Sequence, residues 1–267
     1  MRPIKIPVSI SKYIERDFST EELLQLAHSG YKSLLKNDPE VSIIIPAYNE
    51  ELNIVPTLAS LCQNKTARSV EIIVVDNNSK DQTAQLAKAC GVNCISETKQ
   101  GITFARNKGL SVARGKYILN ADADSIYPEQ WIENMVQPLE DERIALTYGR
   151  FSLIPTGDTG RLTYFFYEYI AEFSRFINKK VKDEAVNVYG FNSGFRRTQG
   201  LSVGSFNHPI HTNEDGWLAL KLRDKGYGKL HLVTNIEALV WTTDRRIQLD
   251  GGLMNGFVKR FKRMINK

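Results

Sequence analysis

Residues 41–45, VSIII, leave little freedom in what this chain can build. Val41, Ile43, Ile44 and Ile45 are apolar and β-branched, with Ser42 the single interruption. A strand with one wet face alternates apolar and polar residues. A run of this kind is buried on both faces, which implies a mostly parallel sheet covered by helices. Pro46 is expected to end the strand. A helix should follow Glu50 and Glu51, with Ile54, Leu58 and Leu61 at helical spacing and Pro56 tolerated in the first turn. Strands are predicted over 71–76 and 92–96. Between them lies a helix reaching Cys90, which Ser79 and Asp81 can cap. Another helix is expected over 102–113. Strand and helix alternating at this spacing predict an α/β fold, a doubly wound sheet over residues 41–150.

The chemistry gathers at 116–124, KYILNADAD. Tyr117, Ile118 and Leu119 read as a short strand, and the chain then turns acidic at Asp122 and Asp124. In an open parallel sheet, ligands bind at the carboxyl ends of the strands. Two carboxylates one small residue apart concentrate negative charge there. Either a hard cation such as Mg²⁺ or Mn²⁺ joins them to substrate phosphates, or D-x-D is a polar turn ahead of the helix that Pro128 opens.

Around this centre lie three further segments. In residues 1–40, Ser19 to Glu22 form a capping-box pattern. Leu23, Leu24, Ala27, Tyr31, Leu34 and Leu35 then recur at helical spacing, so this segment is expected to be a helical extension packed outside the sheet. After residue 150 comes a loop at 155–160 and an aromatic-rich helix, in which Tyr164, Phe165, Tyr169, Phe173, Phe176 and Ile177 share one face. Residues 190–197 are strand-like. Glu214 and Asp215 open a helix that Gly226 closes, and strand-like stretches surround His231 and Val240. In 253–267, apolar residues at helical spacing are flanked by Lys259, Arg260, Lys262, Arg263 and Lys267. That pattern fits either an interfacial anchor or a helix docked on the protein's own core.

Composition narrows the classes. With 35 basic and 30 acidic residues the net charge is only +5, which suits anionic substrates or lipid surfaces and does not call for nucleic acid. Cys62, Cys90 and Cys94 form no C-x-x-C pair and are expected to be reduced, buried side chains. No signal-peptide pattern and no apolar run of about 18 residues occurs. A cytoplasmic protein, or one peripheral at a membrane, is the expectation.

Read together, the strand with PAYNE, the strand ending VVDNNSKDQT, FARNKGL followed by YILNADADS, and NEDGWLALKLRDKGY resemble the family 2 glycosyltransferases in order and spacing, over residues 41–230. The resemblance implies a GT-A fold, with a nucleotide-sugar-binding half over 41–150 and an acceptor half over 151–250. It implies inverting, metal-assisted transfer of one sugar from a nucleotide-diphosphate sugar, a UDP-sugar foremost, to a glycan or lipid-linked acceptor. By the same resemblance, Pro46, Ala47, Tyr48 and Glu50 border the nucleotide. Asp76 and Asn77, in place of the commoner Asp-Asp, contact the base. Arg106 approaches the diphosphate, Asp122 and Ala123 lie near the ribose, and Asp124 binds Mn²⁺ or Mg²⁺. Asp215 is the general base and Glu214 orients it, the other reading being that both only cap their helix. The third metal ligand stays open among His208, His211 and His231; VWTTDRRI offers Thr242 and Thr243 at the expected place, and Arg245 and Arg246 as cover for the diphosphate. A sugar-phosphate nucleotidyltransferase is the alternative enzyme, but no glycine-rich loop follows the first strand. A non-catalytic nucleotide-sugar-binding module is the other alternative.

Overall fold

The computed structural model describes residues 2–14, 18–210, 212–249 and 251–253. A short helix, α1 (Val8–Ser11), precedes the longer α2 (Thr20–Leu34). The capping box forms: the Ser19 side chain accepts from the Glu22 N–H, and Glu22 accepts from the Ser19 N–H at 2.7 Å. Leu23, Ala27, Tyr31 and Leu34 are buried and belong to the same core cluster as α3 (Ile54–Cys62). The extension is therefore part of the main core, because its apolar stripe lies on α3.

β1 (Val41–Ala47), β2 (Val70–Asp76), β3 (Asn93–Ser96) and β4 (Tyr117–Asn120) run parallel, linked by α3, α4 (Thr83–Ala89) and α5 (Ile102–Val112). Both faces of β1 are buried as expected. Ile43 and Ile45 enter one core and Ile44 the other. Pro46 does not end this strand, which pairs with β2 as far as Ala47 opposite Asp76. Ile44 offers its carbonyl toward β4, to the Ala121 N–H at 3.0 Å, and Pro46, two residues on, faces the same way. The β4 register has already ended at Ile44–Asn120, so the N–H that proline lacks has no partner to lose.

Beyond β4 come β5 (Ser125–Ile126), α6 (Trp131–Val136), β6 (Ile144–Gly149), β7 (Phe151–Ile154), α7 (Arg161–Val181), β8 (Ser193–Arg196), α8 (Arg197–Ser202), α9 (Glu214–Asp224), β9 (Lys229–Val233), β10 (Val240–Thr243) and α10 (Arg245–Leu249). The main sheet has the order β3-β2-β1-β4-β8-β6-β9, with β8 antiparallel to both its neighbours. Strands from both sides of residue 150 thus share one sheet. A smaller sheet, β5-β10-β7, brings the end of β10 back to the residues directly after D-x-D. Alternation alone does not reveal it, since β5 is only two residues long.

α7 leaves most of its aromatic residues facing outward. Tyr164 and Glu168 are its buried residues, whereas Phe166, Ile170, Phe173 and Phe176 are each more than half exposed. The inward side is held by ions. Glu168 lies 2.9 Å from Arg161 and 3.5 Å from Arg2, and Glu172 meets Arg2, Arg150 and Arg175. Buried carboxylates need such partners, and satisfying them sets the rotation of the helix.

Candidate active site

The D-x-D segment is pinned by its backbone at the carboxyl end of β4. The Asp122 N–H donates to the Tyr127 hydroxyl at 2.9 Å, and that hydroxyl donates to the Phe191 carbonyl at 3.0 Å. The Ala123 carbonyl accepts from Thr57 at 2.9 Å, and the Ala123 side chain is buried. Asp122 and Asp124 are left with their carboxylates toward the edge of the sheet.

Arg106, in the middle of α5, is 1% exposed and faces three carboxylates. Its Nη1 donates to Asp215 Oδ1 at 2.8 Å and to the Gly190 carbonyl at 3.2 Å. Its Nη2 donates to Asp122 Oδ1 at 3.3 Å, and Nε stands 3.9 Å from Glu214. The ring of Phe206 lies 5.6 Å from the guanidinium. A Cβ on Gly190 would come within 1.9 Å of Nη2, so only glycine lets this backbone lie against the arginine. Arg106 is therefore no solvated helix residue. It joins Asp122, from the β4 loop, to Asp215, from α9.

Asp215 and Glu214 do not cap α9. Asn213 does, its side chain accepting from the N–H groups of Asp215 and Gly216 at 2.9 and 2.8 Å. That leaves the Asp215 carboxylate for Arg106. Burial pushes the Asp215 carboxyl up; Arg106 opposes this, while Glu214 and Asp122 add to it. One guanidinium shared by three acids cannot neutralise them all. Burial likewise pushes Asp122 up to about 6, against Arg106.

Asp124 has its own partners. Its Oδ2 accepts from Thr243 Oγ1 at 3.0 Å and from Arg245 Nη2 at 3.2 Å. Arg245 forks onto Glu50 with both terminal nitrogens, Nη1 reaching Oε2 at 2.9 Å. Burial raises the Asp124 carboxyl, and Glu50 raises it further. Among the described residues no three His, Cys, Asp or Glu side chains could hold a metal ion by themselves. A hard cation that keeps waters and binds through one or two carboxylates plus substrate phosphates is compatible with this donor set. Both bonds found on Asp124 fall on Oδ2. The histidines stand elsewhere: His208 bridges Thr103 and Thr212, His231 lies in β9 opposite Thr147, and His211 is outside the described residues.

The expected base-contacting pair divides. The Asn77 amide donates to the carbonyls of Glu97 and Lys99, both at 2.8 Å, and its oxygen accepts from the Gly101 N–H at 2.7 Å. Both amide protons are used, so Asn77 holds the 97–101 loop instead of reading a base. Asp76 Oδ1, by contrast, is buried with no hydrogen-bond partner. Asp81 caps the start of α4 as expected, its Oδ1 accepting from the Thr83 N–H at 3.0 Å, whereas Ser79 does not. Ser79 accepts from the Asn49 N–H and Asp81 Oδ2 from the Glu51 N–H, at 3.0 and 3.1 Å. They tie the loop after β1, carrying half-exposed Tyr48 and buried Ala47, to the loop after β2. Sequence reading missed this latch and the contact of Gly190 with Arg106. The capping alternative falls on Glu214 and Asp215, whereas Asn213 caps the helix.

An α/β sheet with acidic residues from separate segments meeting at its carboxyl edge is the architecture of the GT-A fold. The family model for glycosyl transferase family 2 matches residues 42–199, and the chain belongs to that family. Glycosyltransferase AglE of Haloferax volcanii is 29% identical over 198 residues, covering 71% of this chain and 63% of AglE. The UDP-Glc:alpha-D-GlcNAc-diphosphoundecaprenol beta-1,3-glucosyltransferase WfaP of Escherichia coli is 33% identical over 115 residues, covering 42% of this chain and 45% of WfaP. The chain thus spans less than two thirds of either relative. The mannosyltransferase PcManGT of Pyrobaculum calidifontis, solved with GDP-Man and Mn²⁺, superposes with a TM-score of 0.59 at 20% identity, covering 96% of this chain and 76% of that one.

Proposed function

We propose that the enzyme moves one sugar from a nucleotide-diphosphate sugar to an acceptor hydroxyl by a single inverting displacement. The observation that carries this reading is the Arg106 junction, which brings Asp122 of the donor side and Asp215 of the acceptor side onto one guanidinium. An inverting displacement needs a base opposite the leaving group and within reach of the acceptor hydroxyl. Asp215 takes the hydroxyl proton as the acceptor oxygen bonds to the anomeric carbon. The bond from that carbon to the diphosphate breaks, and the nucleoside diphosphate leaves with its electrons. Glu214 keeps the negative potential at Asp215 high, and Arg106 holds Asp215 in place.

Asp124 would hold Mn²⁺ or Mg²⁺ together with the donor phosphates, and the ion would offset charge gained by the departing diphosphate. The Mn²⁺ in PcManGT supports this reading. Asp76 Oδ1 supplies an acceptor for a base N–H. Uracil N3–H and guanine N1–H could both donate to it; the UDP-Glc donor named for WfaP supports a UDP-sugar, with Pro46, Ala47, Tyr48 and Glu50 bordering the nucleotide and Ala123 the ribose. Turnover of a panel of UDP- and GDP-sugars in Mn²⁺, with release of nucleoside diphosphate followed, tests the assignment. Binding of a donor without turnover on any supplied acceptor would favour the non-catalytic module instead.

The acceptor we favour is lipid-linked, presented at an anionic membrane surface. The exposed stripe of Phe166, Ile170, Phe173 and Phe176 supports this, as does the diphosphoundecaprenol-linked acceptor of WfaP. Lys179, Lys180 and Lys182 are exposed at the end of the same helix, and each cation adds about 1 kcal/mol near an anionic surface. The basic stretch 254–267, a second anchor by its sequence, lies outside the described residues. No helix among the described residues is long and apolar enough to cross a membrane, so attachment would be peripheral. In co-sedimentation with anionic vesicles, the full chain should partition at least several-fold more than F166E/F173E or a chain truncated after residue 252. Equal partitioning of all three would refute membrane attachment.

A further inference from the structure

Asp124, the residue that would bind the metal, already carries a cation of the protein's own. Arg245 stands at the first residue of α10, its side chain 45% exposed, with Nη2 3.2 Å from Asp124 Oδ2. Its other anchor is fixed more firmly. Glu50 is buried, receives Asn53 Nδ2 on Oε2 at 2.8 Å, and has its own N–H bonded to Thr83 at 2.7 Å. The guanidinium is thus placed between a rigid carboxylate on the β1 side and the outer D-x-D carboxylate on the β4 side, on a stem exposed enough to turn.

We infer that Arg245 is the resident counter-ion of this acidic corner and competes with the divalent metal for Asp124. The inference deepens the proposed function and rests on Asp124 being the metal's protein ligand. The chemistry follows from charge. Asp122, Asp124 and Glu50 carry three negative charges within one corner, and without substrate Arg245 offsets part of them. A divalent ion arriving alone would set two cationic groups against one carboxylate, so it meets both repulsion and the loss of the arginine's bond to Asp124. A nucleoside diphosphate changes the balance, because its oxygens accept both the metal and the released guanidinium, and a planar N–H fork suits phosphate. Metal and nucleotide should therefore bind cooperatively, each making room for the other's charge, and the metal alone should bind weakly.

This differs from a general electrostatic effect. Arg246 is next in sequence and lends Asp122 positive potential, yet among the described residues it has no bond to Asp124. Removing either arginine removes one charge from the corner. Only removing Arg245 takes a cation off Asp124 Oδ2, which keeps its bond from Thr243.

The test is titration of Mn²⁺ alone, by calorimetry or by the loss of its free EPR signal, into the full chain and into R245Q, R245K, R246Q and R245Q/D124A. Thermal unfolding is recorded for each. R245Q should bind Mn²⁺ about tenfold or more tightly than the unaltered chain, R246Q no more than about twofold, and R245K should fall between. With UDP present, the mutual enhancement between Mn²⁺ and UDP should shrink in R245Q. Equal Mn²⁺ affinity in R245Q and the unaltered chain, lost on adding D124A, would overturn the competition while leaving the metal at Asp124. Mn²⁺ affinity unaffected by D124A in the R245Q background would overturn both. Equal tightening by R245Q and R246Q would reduce the effect to bulk charge and also overturn the competition.

Discussion

Asp215→Asn is expected to lower turnover by about a hundredfold or more, the scale of a positioned general base, while donor affinity changes little. The substitution keeps the shape of the side chain and an oxygen for Arg106, and removes only the ability to take a proton. Its effect on stability should run the other way. Burial raises the Asp215 carboxyl, so its ionisation in the folded protein costs free energy that the unfolded chain does not spend. The sign follows: stability is lost as pH rises through the folded-state value, and D215N removes that loss. At pH 8 the variant should melt no lower than the unaltered enzyme, and by about 2–4 °C higher if the relief is ~1 kcal/mol. In the unaltered enzyme, kcat/KM should fall with decreasing pH along a limb centred above the ordinary carboxylate value of about 4, and the residual activity of D215N should lack that limb. Acceptor transfer surviving within about tenfold would move the base elsewhere.

Asp124→Ala should abolish the metal-dependent part of donor binding and leave the fold intact. The side chain stands in the loop between β4 and β5, and its bonds to Thr243 and Arg245 lie at the rim of the site. The loop itself is secured by Thr57 on the Ala123 carbonyl and by Tyr127 on the Asp122 N–H, neither of which the substitution touches. Calorimetry of UDP binding with and without Mn²⁺ should show a clear difference for the unaltered enzyme and none for D124A. An unchanged affinity in Mn²⁺ for D124A would remove the metal from this residue.

How much of this was legible depended on range. The β-branched run at 41–45 announced a strand buried on both faces, and Ile44 against Ile43 and Ile45 bears that out. The Ser19–Glu22 box is a local pattern, written within four residues. Pro46 was misread because the cost of a missing N–H depends on where the neighbouring strand stops, which no local pattern records. Asn77 looked like a base reader until its amide met the carbonyls of Glu97 and Lys99, 20 and 22 residues further along the chain. The rotation of α7 rests on equally distant partners, since Glu168 and Glu172 meet arginines from as far away as Arg2. Arg106 gave the least local warning of all, since its partners come from two loops and a distant helix.

The placement of β8 sets a rule for anyone who would rebuild this enzyme. Because β8 is laid between β4 and β6, a graft made at residue 150 must re-create two antiparallel ladders against foreign edges. Recombining half-enzymes at that point should yield chains that misassemble before substrate preference can be asked about. Exchange of α7 with its flanking loops leaves every ladder of the main sheet uncut. Under the proposed lipid-linked acceptor, that helix is the segment to vary in a library aimed at new acceptors.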